Sequence, residues 1–195
     1  MIAVLILAAG GSRRLGRPKQ LEAWGRTTLL GHVVERVRTF PADETWIVLG
    51  ADIDAVMDAV DLSGFGIVEN PEWQEGLASS LRAGLDALTR LSKADGAMVV
   101  LGDQPEIGGD VVTQLVERFR RSKALAVVPK YRYATGNPVI VRRELWPRLM
   151  SLEGDEGAKR LLTAHPEWVE EVWFEQLPPR DVDTAADVEE LRPRR

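Results

Sequence analysis

Three observations predict an α/β fold, a three-layer, Rossmann-like, mostly parallel sheet with helices on both faces. Short continuous apolar runs alternate along the chain with apolar stripes at helical spacing. The first apolar run opens directly into a turn of small and basic residues, Ala8 to Lys19. The chain has 195 residues, 45% hydrophobic and 28% charged, which suits one globular core rather than a disordered segment.

Ile2–Leu7 is apolar at every position, as expected of a strand buried on both faces. Leu29, Leu30, Val33, Val34 and Val37 recur at helical spacing. Trp46–Leu49 reads as the second strand and Asp52–Val60 as a helix with Asp52 near its start. Ile67 and Val68 mark a third strand, and Leu77, Leu81, Leu85, Leu88 and Leu91 form a helical stripe. Ala97–Leu101 is a fourth buried strand, Val111–Phe119 a helix and Leu125–Val128 a fifth strand. This rhythm implies a largely parallel sheet.

Beyond Pro129 the pattern loosens. Tyr131–Val141 holds two short β-like pieces around Gly136–Pro138, and Glu144–Met150 and Gly157–Ala164 read as short helices. Trp168–Phe174 is expected to be a further strand, running antiparallel, and Asp187–Leu191 one helical turn. Residues 1–195 are read as a single domain, with a regular part, 1–129, and a looser part, 130–195.

Composition narrows the chemistry. There are no cysteines, so disulfides and thiolate metal sites are excluded, and only His32 and His165 offer imidazole. Both histidines read as structural or solvated. A metal would have to be a hard cation held by oxygen, which favours Mg²⁺. The net charge of −5 argues against a nucleic-acid partner, and the six tryptophans form no stacking array. No apolar run reaches the roughly 20 residues of a membrane span. The opening MIAVLILAAGG lacks a basic region before its apolar run, so it reads as a strand rather than a signal peptide, and the chain is expected in the cytoplasm. Yet residues 1–21 carry Arg13, Arg14, Arg17 and Lys19 and no acid. A basic patch on an acidic protein suggests a small anionic ligand, or else a solvated basic loop.

The turn Leu7-Ala8-Ala9-Gly10-Gly11-Ser12-Arg13-Arg14-Leu15-Gly16-Arg17-Pro18-Lys19 follows the first strand, where open α/β sheets bind ligands. Its small residues would let backbone N–H groups cradle phosphates, with Arg14 and Lys19 neutralising them. Gly10, Gly11 and Gly16 lack the spacing of a dinucleotide fingerprint. Gly11 and Gly16 match a P-loop, but Arg17-Pro18 stands where Lys-Ser/Thr is required.

Leu101-Gly102-Asp103-Gln104-Pro105 follows the fourth strand, so Asp103 should point into the same crevice and is the candidate Mg²⁺ ligand; a plain turn aspartate is the alternative. Gly76, Ser79 and Ser80 open the Leu-striped helix, either holding a nucleotide's base or ribose or capping the helix. Thr135-Gly136-Asn137-Pro138 and Leu152–Gly157, which contains Asp155, either line an acceptor pocket or are surface turns. In Asp181-Val182-Asp183-Thr184, Asp183 or Thr184 caps the last turn, or Asp183 faces Asp103 and completes the metal site.

Taken in order, LAAGGSRRLGRPKQL, NPEWQEGLASSL, GDQP, GNPVI, GDEGAKRLL and DVDT resemble segments of the molybdenum cofactor nucleotidyltransferase family, over nearly the whole chain. The resemblance implies the fold of nucleotide-diphospho-sugar transferases. It implies transfer of CMP from CTP to the phosphate of molybdenum–molybdopterin, with release of pyrophosphate. Leu7-Ala8-Ala9-Gly10 favours the cytidylyltransferase branch over the guanylyltransferase one. By position, Ala8, Ala9, Gly10, Gly11, Arg14 and Lys19 would contact the triphosphate, Gly76 and Ser80 the base or ribose, and Asp103 the Mg²⁺. The implied partners are the nucleoside triphosphate, a phosphorylated pterin-type acceptor, and a downstream molybdoenzyme or maturation chaperone. Two departures stand out: Asn137 where relatives have His, and Ala185 where they have Pro. The rival expectations are a transferase acting on another phosphorylated acceptor, a non-catalytic cofactor carrier, and a nicotinamide-dependent oxidoreductase, which the missing fingerprint disfavours.

Overall fold

The computed structural model describes residues 1–12 and 14–193. Seven strands form one sheet: β1 (Ile2–Leu7), β4 (Glu44–Leu49), β5 (Gly66–Glu69), β6 (Gly96–Leu101), β7 (Ala126–Tyr131), β8 (Val139–Arg142) and β9 (Val169–Phe174). A separate two-stranded hairpin pairs β2 (Ala23–Trp24) with β3 (Thr27–Thr28). The large sheet is ordered β5-β4-β1-β6-β8-β7-β9. Among the described strands only β8 runs against the rest.

Alternation along β1 builds both cores. Ile2, Val4 and Ile6 face one side, packed with α1 (Leu29–Val37), α2 (Ile53–Ala59) and α4 (Gly109–Arg121). Ala3, Leu5 and Leu7 face the other, under α3 (Leu77–Leu91), α5 (Trp146–Leu149) and α6 (Ala158–Ala164). A period of two in the strands and 3.6 in the helices is what lets one sheet bury both faces. α3 comes close enough to the sheet that a Cβ on Gly84 would lie 2.6 Å from Leu5 Cδ2. The Thr28 hydroxyl caps α1 by accepting from Gly31 N.

The strand after α6 corrects one expectation. β9 is parallel to β7, in register from Ala126 opposite Val169 to Tyr131 opposite Phe174. Because β8 runs against β7, it delivers the chain to the rim where β7 starts; residues 143–168, with their short helices, end on that rim, and β9 then sets out from it in the same direction as β7. The reversed strand is β8, paired between β6 and β7, so residues before and after Pro129 share one sheet.

The order fixes where a ligand belongs. From β1 the chain steps to β4 and β5, then returns to β6 on the opposite side of β1. β1 and β6 therefore flank the point where connections diverge, which opens a crevice at their carboxyl ends. Leu7 and Leu101 are register partners there, and Gly102 N donates to Leu7 O.

Candidate active site

Two loops leave the sheet side by side at that crevice. In the first, Gln20 is buried and its Nε2 donates to Ala8 O at 3.0 Å and Gly10 O at 2.7 Å. Ser12, at φ +52°, accepts from Lys19 N through its hydroxyl and from Leu15 and Gly16 N through its carbonyl. These bonds fold the turn back so that Lys19 returns over the strand ends. Replacing Gln20 with Ala strands two loop carbonyls. It should cost about 2 kcal/mol, read as a lower urea midpoint.

Gly11 has no room for a side chain, because a Cβ would lie 2.5 Å from the Trp73 indole, which walls this loop. Leu7, Ala8 and Ala9 are buried and Gly10 is exposed at the rim. Arg13 lies outside the described residues. Arg17 is not turned to the crevice: it is ion-paired with Glu22, and that contact holds the Arg17 guanidinium above its ordinary value and the Glu22 carboxyl below its own.

The second loop carries Asp103. Lys19 Nζ donates to Asp103 Oδ2 at 2.6 Å and to Asp183 Oδ1 at 3.0 Å. Arg14 donates to Asp183 Oδ2 at 2.8 Å. The Lys19 and Asp103 side chains are only 17% and 20% exposed, so this pair is shielded from water. The other Asp103 oxygen, Oδ1, is buried and has no hydrogen-bond partner among the described residues. Burial pushes the Asp103 carboxyl above the usual aspartate value, and the neighbouring Asp181 and Asp183 add to this while Lys19 opposes it. Burial alone would lower the Lys19 ammonium, but Asp103 and Asp183 together hold it above its ordinary value.

Residues 175–183 bring Asp183 to this point from the far edge of the sheet, crossing β7 and β8. Val182 N donates to Asp103 O at 3.0 Å, and Gln104 Nε2 to Asp181 Oδ1 at 2.7 Å, which seats the segment on the Asp103 loop. Thr184, not Asp183, makes the cap: its hydroxyl and Asp187 form a capping box at the start of α7 (Ala185–Leu191). The Asp183 carboxylate is therefore free to face Lys19 and Arg14.

Gly76 ends the 73–75 turn at φ +104° and leads into α3. Ser79 and Ser80 are buried, and both hydroxyls accept from Asn70 Nδ2; Ser79 also donates to the backbone before the helix. What the start of α3 presents outward is backbone rather than these hydroxyls. Ala78 N donates to Gly154 O, which docks the 153–157 loop on Gly76.

Gly136, Asn137 and Asp155 line one cleft of about 1520 Å³, together with Leu7, Leu101, Gln104 and Asp181. Its floor is apolar, from Leu7, Leu81, Val99 and Val139. The Lys19–Asp103–Asp183 cluster borders this cleft through Gln104 and Asp181 rather than lining it. Asn137 precedes a cis proline, and its carbonyl accepts from the Tyr131 hydroxyl. His32 and His165 lie elsewhere; His165 stacks on Trp168 at 3.7 Å.

The residues brought together are thus Lys19, Arg14, Asp103 and Asp183, with Leu7 and Gly10 in the first part of the same loop. Gln20, Trp73, Gln104 and Asp181 were not anticipated from sequence. Gln104 and Asp181 sat beside residues already singled out, and their pairing across 77 positions carried no local signal.

Could a divalent cation fit? The donors are carboxylate oxygens, suited to a hard cation, and the orphaned Asp103 Oδ1 is an unused acceptor. Among the described residues no group of three or more His, Asp or Glu side chains is poised around one point, so further ligands would come from phosphate and water. The two carboxylates that converge on Lys19 fit such a shared site.

Residues 4–169 match the family model of the MobA-like NTP transferase domain. The chain belongs to this family. Among its relatives is nicotine blue oxidoreductase of Paenarthrobacter nicotinovorans, 32% identical over 195 residues, 96% of this chain and 94% of that one. Among solved structures, the Rv0371c homologue of Mycobacterium sp. strain JC1 is 36% identical, with a TM-score of 0.87 over 97% of this chain and 94% of that one. Rv0371c of Mycobacterium tuberculosis H37Rv, in complex with manganese, is 30% identical, with a TM-score of 0.82 over 98% and 97%. The MobA-like domain thus covers both loops that meet at Lys19, while Asp183 lies beyond its matched span. No helix among the described residues is long and apolar enough to cross a membrane.

Proposed function

We propose that this MobA-like NTP transferase uses a divalent cation, Mg²⁺ by preference, to transfer CMP from CTP to the phosphate of molybdenum–molybdopterin. The observation that carries the reading is the convergence of Lys19, Arg14, Asp103 and Asp183 at the carboxyl ends of β1 and β6. The LAAG form of the first loop supports CTP over GTP. The neighbour solved in complex with manganese supports the use of a divalent ion.

Asp103 and Asp183 would hold the cation, whose contribution when bound is to neutralise charge on the triphosphate. Backbone N–H groups of the Ala9–Ser12 turn would cradle the phosphates, and Arg14 and Lys19 would supply positive charge for the α-phosphate and departing pyrophosphate. The acceptor phosphate is already an anionic nucleophile, so no strong general base is required. The large apolar-floored cleft beside Gln104, lined by Gly136, Asn137 and Asp155, is where the acceptor would lie. On this reading residues 1–129 hold the nucleotide and 130–195 the acceptor.

The test is a thermal-shift panel of CTP, GTP, ATP and UTP with Mg²⁺ or Mn²⁺, followed by pyrophosphate release with molybdenum–molybdopterin. CTP should raise the melting point most, and Lys19→Ala should slow release about a hundredfold or more. No shift with any nucleotide would overturn the reading. The name of the Paenarthrobacter relative motivates a second reading, a redox reaction, so NADH and NADPH belong in the same panel. A shift with these alone would favour it.

A further inference from the structure

The geometry points to Lys19 as the resting counter-ion of the metal site, displaced only when a triphosphate offers it another anion, so that metal and nucleotide bind as one complex and neither binds well alone. This rests on the reading of Asp103 and Asp183 as metal-holding carboxylates. Lys19 Nζ lies on both of them, at 2.6 and 3.0 Å, the position a bridging cation would take. Lys19 cannot stay there and share the carboxylates with a divalent ion, because like charges would then be forced together in a shielded setting.

Charge balance gives the order its logic. The ion-paired residues Asp103, Asp183, Lys19 and Arg14 are net-neutral among themselves, with the Asp181 carboxylate, bound to Gln104, adjoining them. A divalent cation entering alone would make the cluster dicationic and strand the ammonium. A triphosphate entering with the cation gives Lys19 and Arg14 a new partner and frees the carboxylates for the metal. The buried, unpartnered Asp103 Oδ1 agrees with a closed resting state, since one carboxylate oxygen is covered yet unused. Arg14 is far more exposed, 75% against 17% for Lys19, and among the described residues pairs with Asp183 alone, so the displacement falls to Lys19.

The test measures protein-bound Mn²⁺ by equilibrium dialysis with the free-ion paramagnetic resonance signal as readout, with and without α,β-methylene CTP, which cannot transfer, after subtracting the Mn²⁺ that the analogue holds in protein-free solution. Wild-type protein should bind Mn²⁺ at least tenfold more tightly when the analogue is present. Lys19→Met should bind Mn²⁺ alone at least tenfold more tightly than wild type, and its gain from the analogue should shrink. Lys19→Gln, which keeps an N–H donor for the carboxylates, replaces Lys19→Met should the latter fail to fold. Equal Mn²⁺ affinity of wild type and the neutral variants without nucleotide would overturn the proposal. Unchanged Mn²⁺ binding in Asp103→Asn would instead overturn the metal assignment beneath it.

Discussion

Asp103→Ala should leave a folded protein that has lost transfer by two to three orders of magnitude, the usual scale for removing a principal electrostatic stabiliser. Folding should survive because the bond that seats the 175–183 segment uses the Asp103 carbonyl, accepting from Val182 N, and not the side chain. The loss should be in turnover more than in thermal stability. Asp103→Asn should behave similarly, since an amide keeps the shape but not the charge. The pH profile sharpens the prediction. Burial, with Asp181 and Asp183 nearby, holds the Asp103 carboxyl above its ordinary value. Protons therefore compete with a metal at higher pH than they would at a solvated aspartate. The wild-type rate should fall as pH drops through that raised value and recover as pH rises, and added metal should shift the limb to lower pH. A variant at Asp103 with near-normal turnover would remove the residue from the site.

Gly76→Ala should destabilise the fold by about 3 kcal/mol, read as a lower urea midpoint with unchanged slope. Two effects combine. At φ +104° an L side chain is strained, and a Cβ there would lie 2.5 Å from the Gly154 carbonyl oxygen and 2.6 Å from Asp155 Oδ1. The backbone contact leaves no flexible end to swing away. The 153–157 loop must move off the start of α3, taking Asp155 with it, so acceptor affinity should fall along with stability. Gly10→Ala is the control for stability: a Cβ there meets nothing within 4 Å, and the midpoint should hardly change.

Much of the fold was legible because its parallel strands are buried on both faces and their helices carry one apolar stripe. β1 and β6 could be read from IAVLIL and AMVVL, and the chemistry-bearing turns were found because they follow those strands. That Lys19 and Asp103 meet followed from placing both turns at one end of a parallel sheet. The direction of β9 was not legible from its own residues, since it depends on the reversal of β8 before it. The β2–β3 hairpin was missed because two-residue strands carry no period. Gln20 and Trp73 were passed over for a different reason. Each acts by fitting a backbone that bends at positive φ or lacks a Cβ, and such fit is visible only once the turn has a shape. Asp183 was left between capping and ligation, and the structure assigns the cap to Thr184.

The single reversed strand has a consequence for how this enzyme could diversify. In a wholly parallel sheet, each strand sends just one connection across the functional rim, and that connection leads into a long crossover. Because β8 runs the other way, the short link 132–138 begins and ends on the same rim as Lys19 and Asp103, yet supports no helix. Lengthening or rewriting those seven residues would reshape the cleft wall at Gly136 and Asn137 without disturbing either core, while the loops that carry Lys19 and Asp103 stayed fixed.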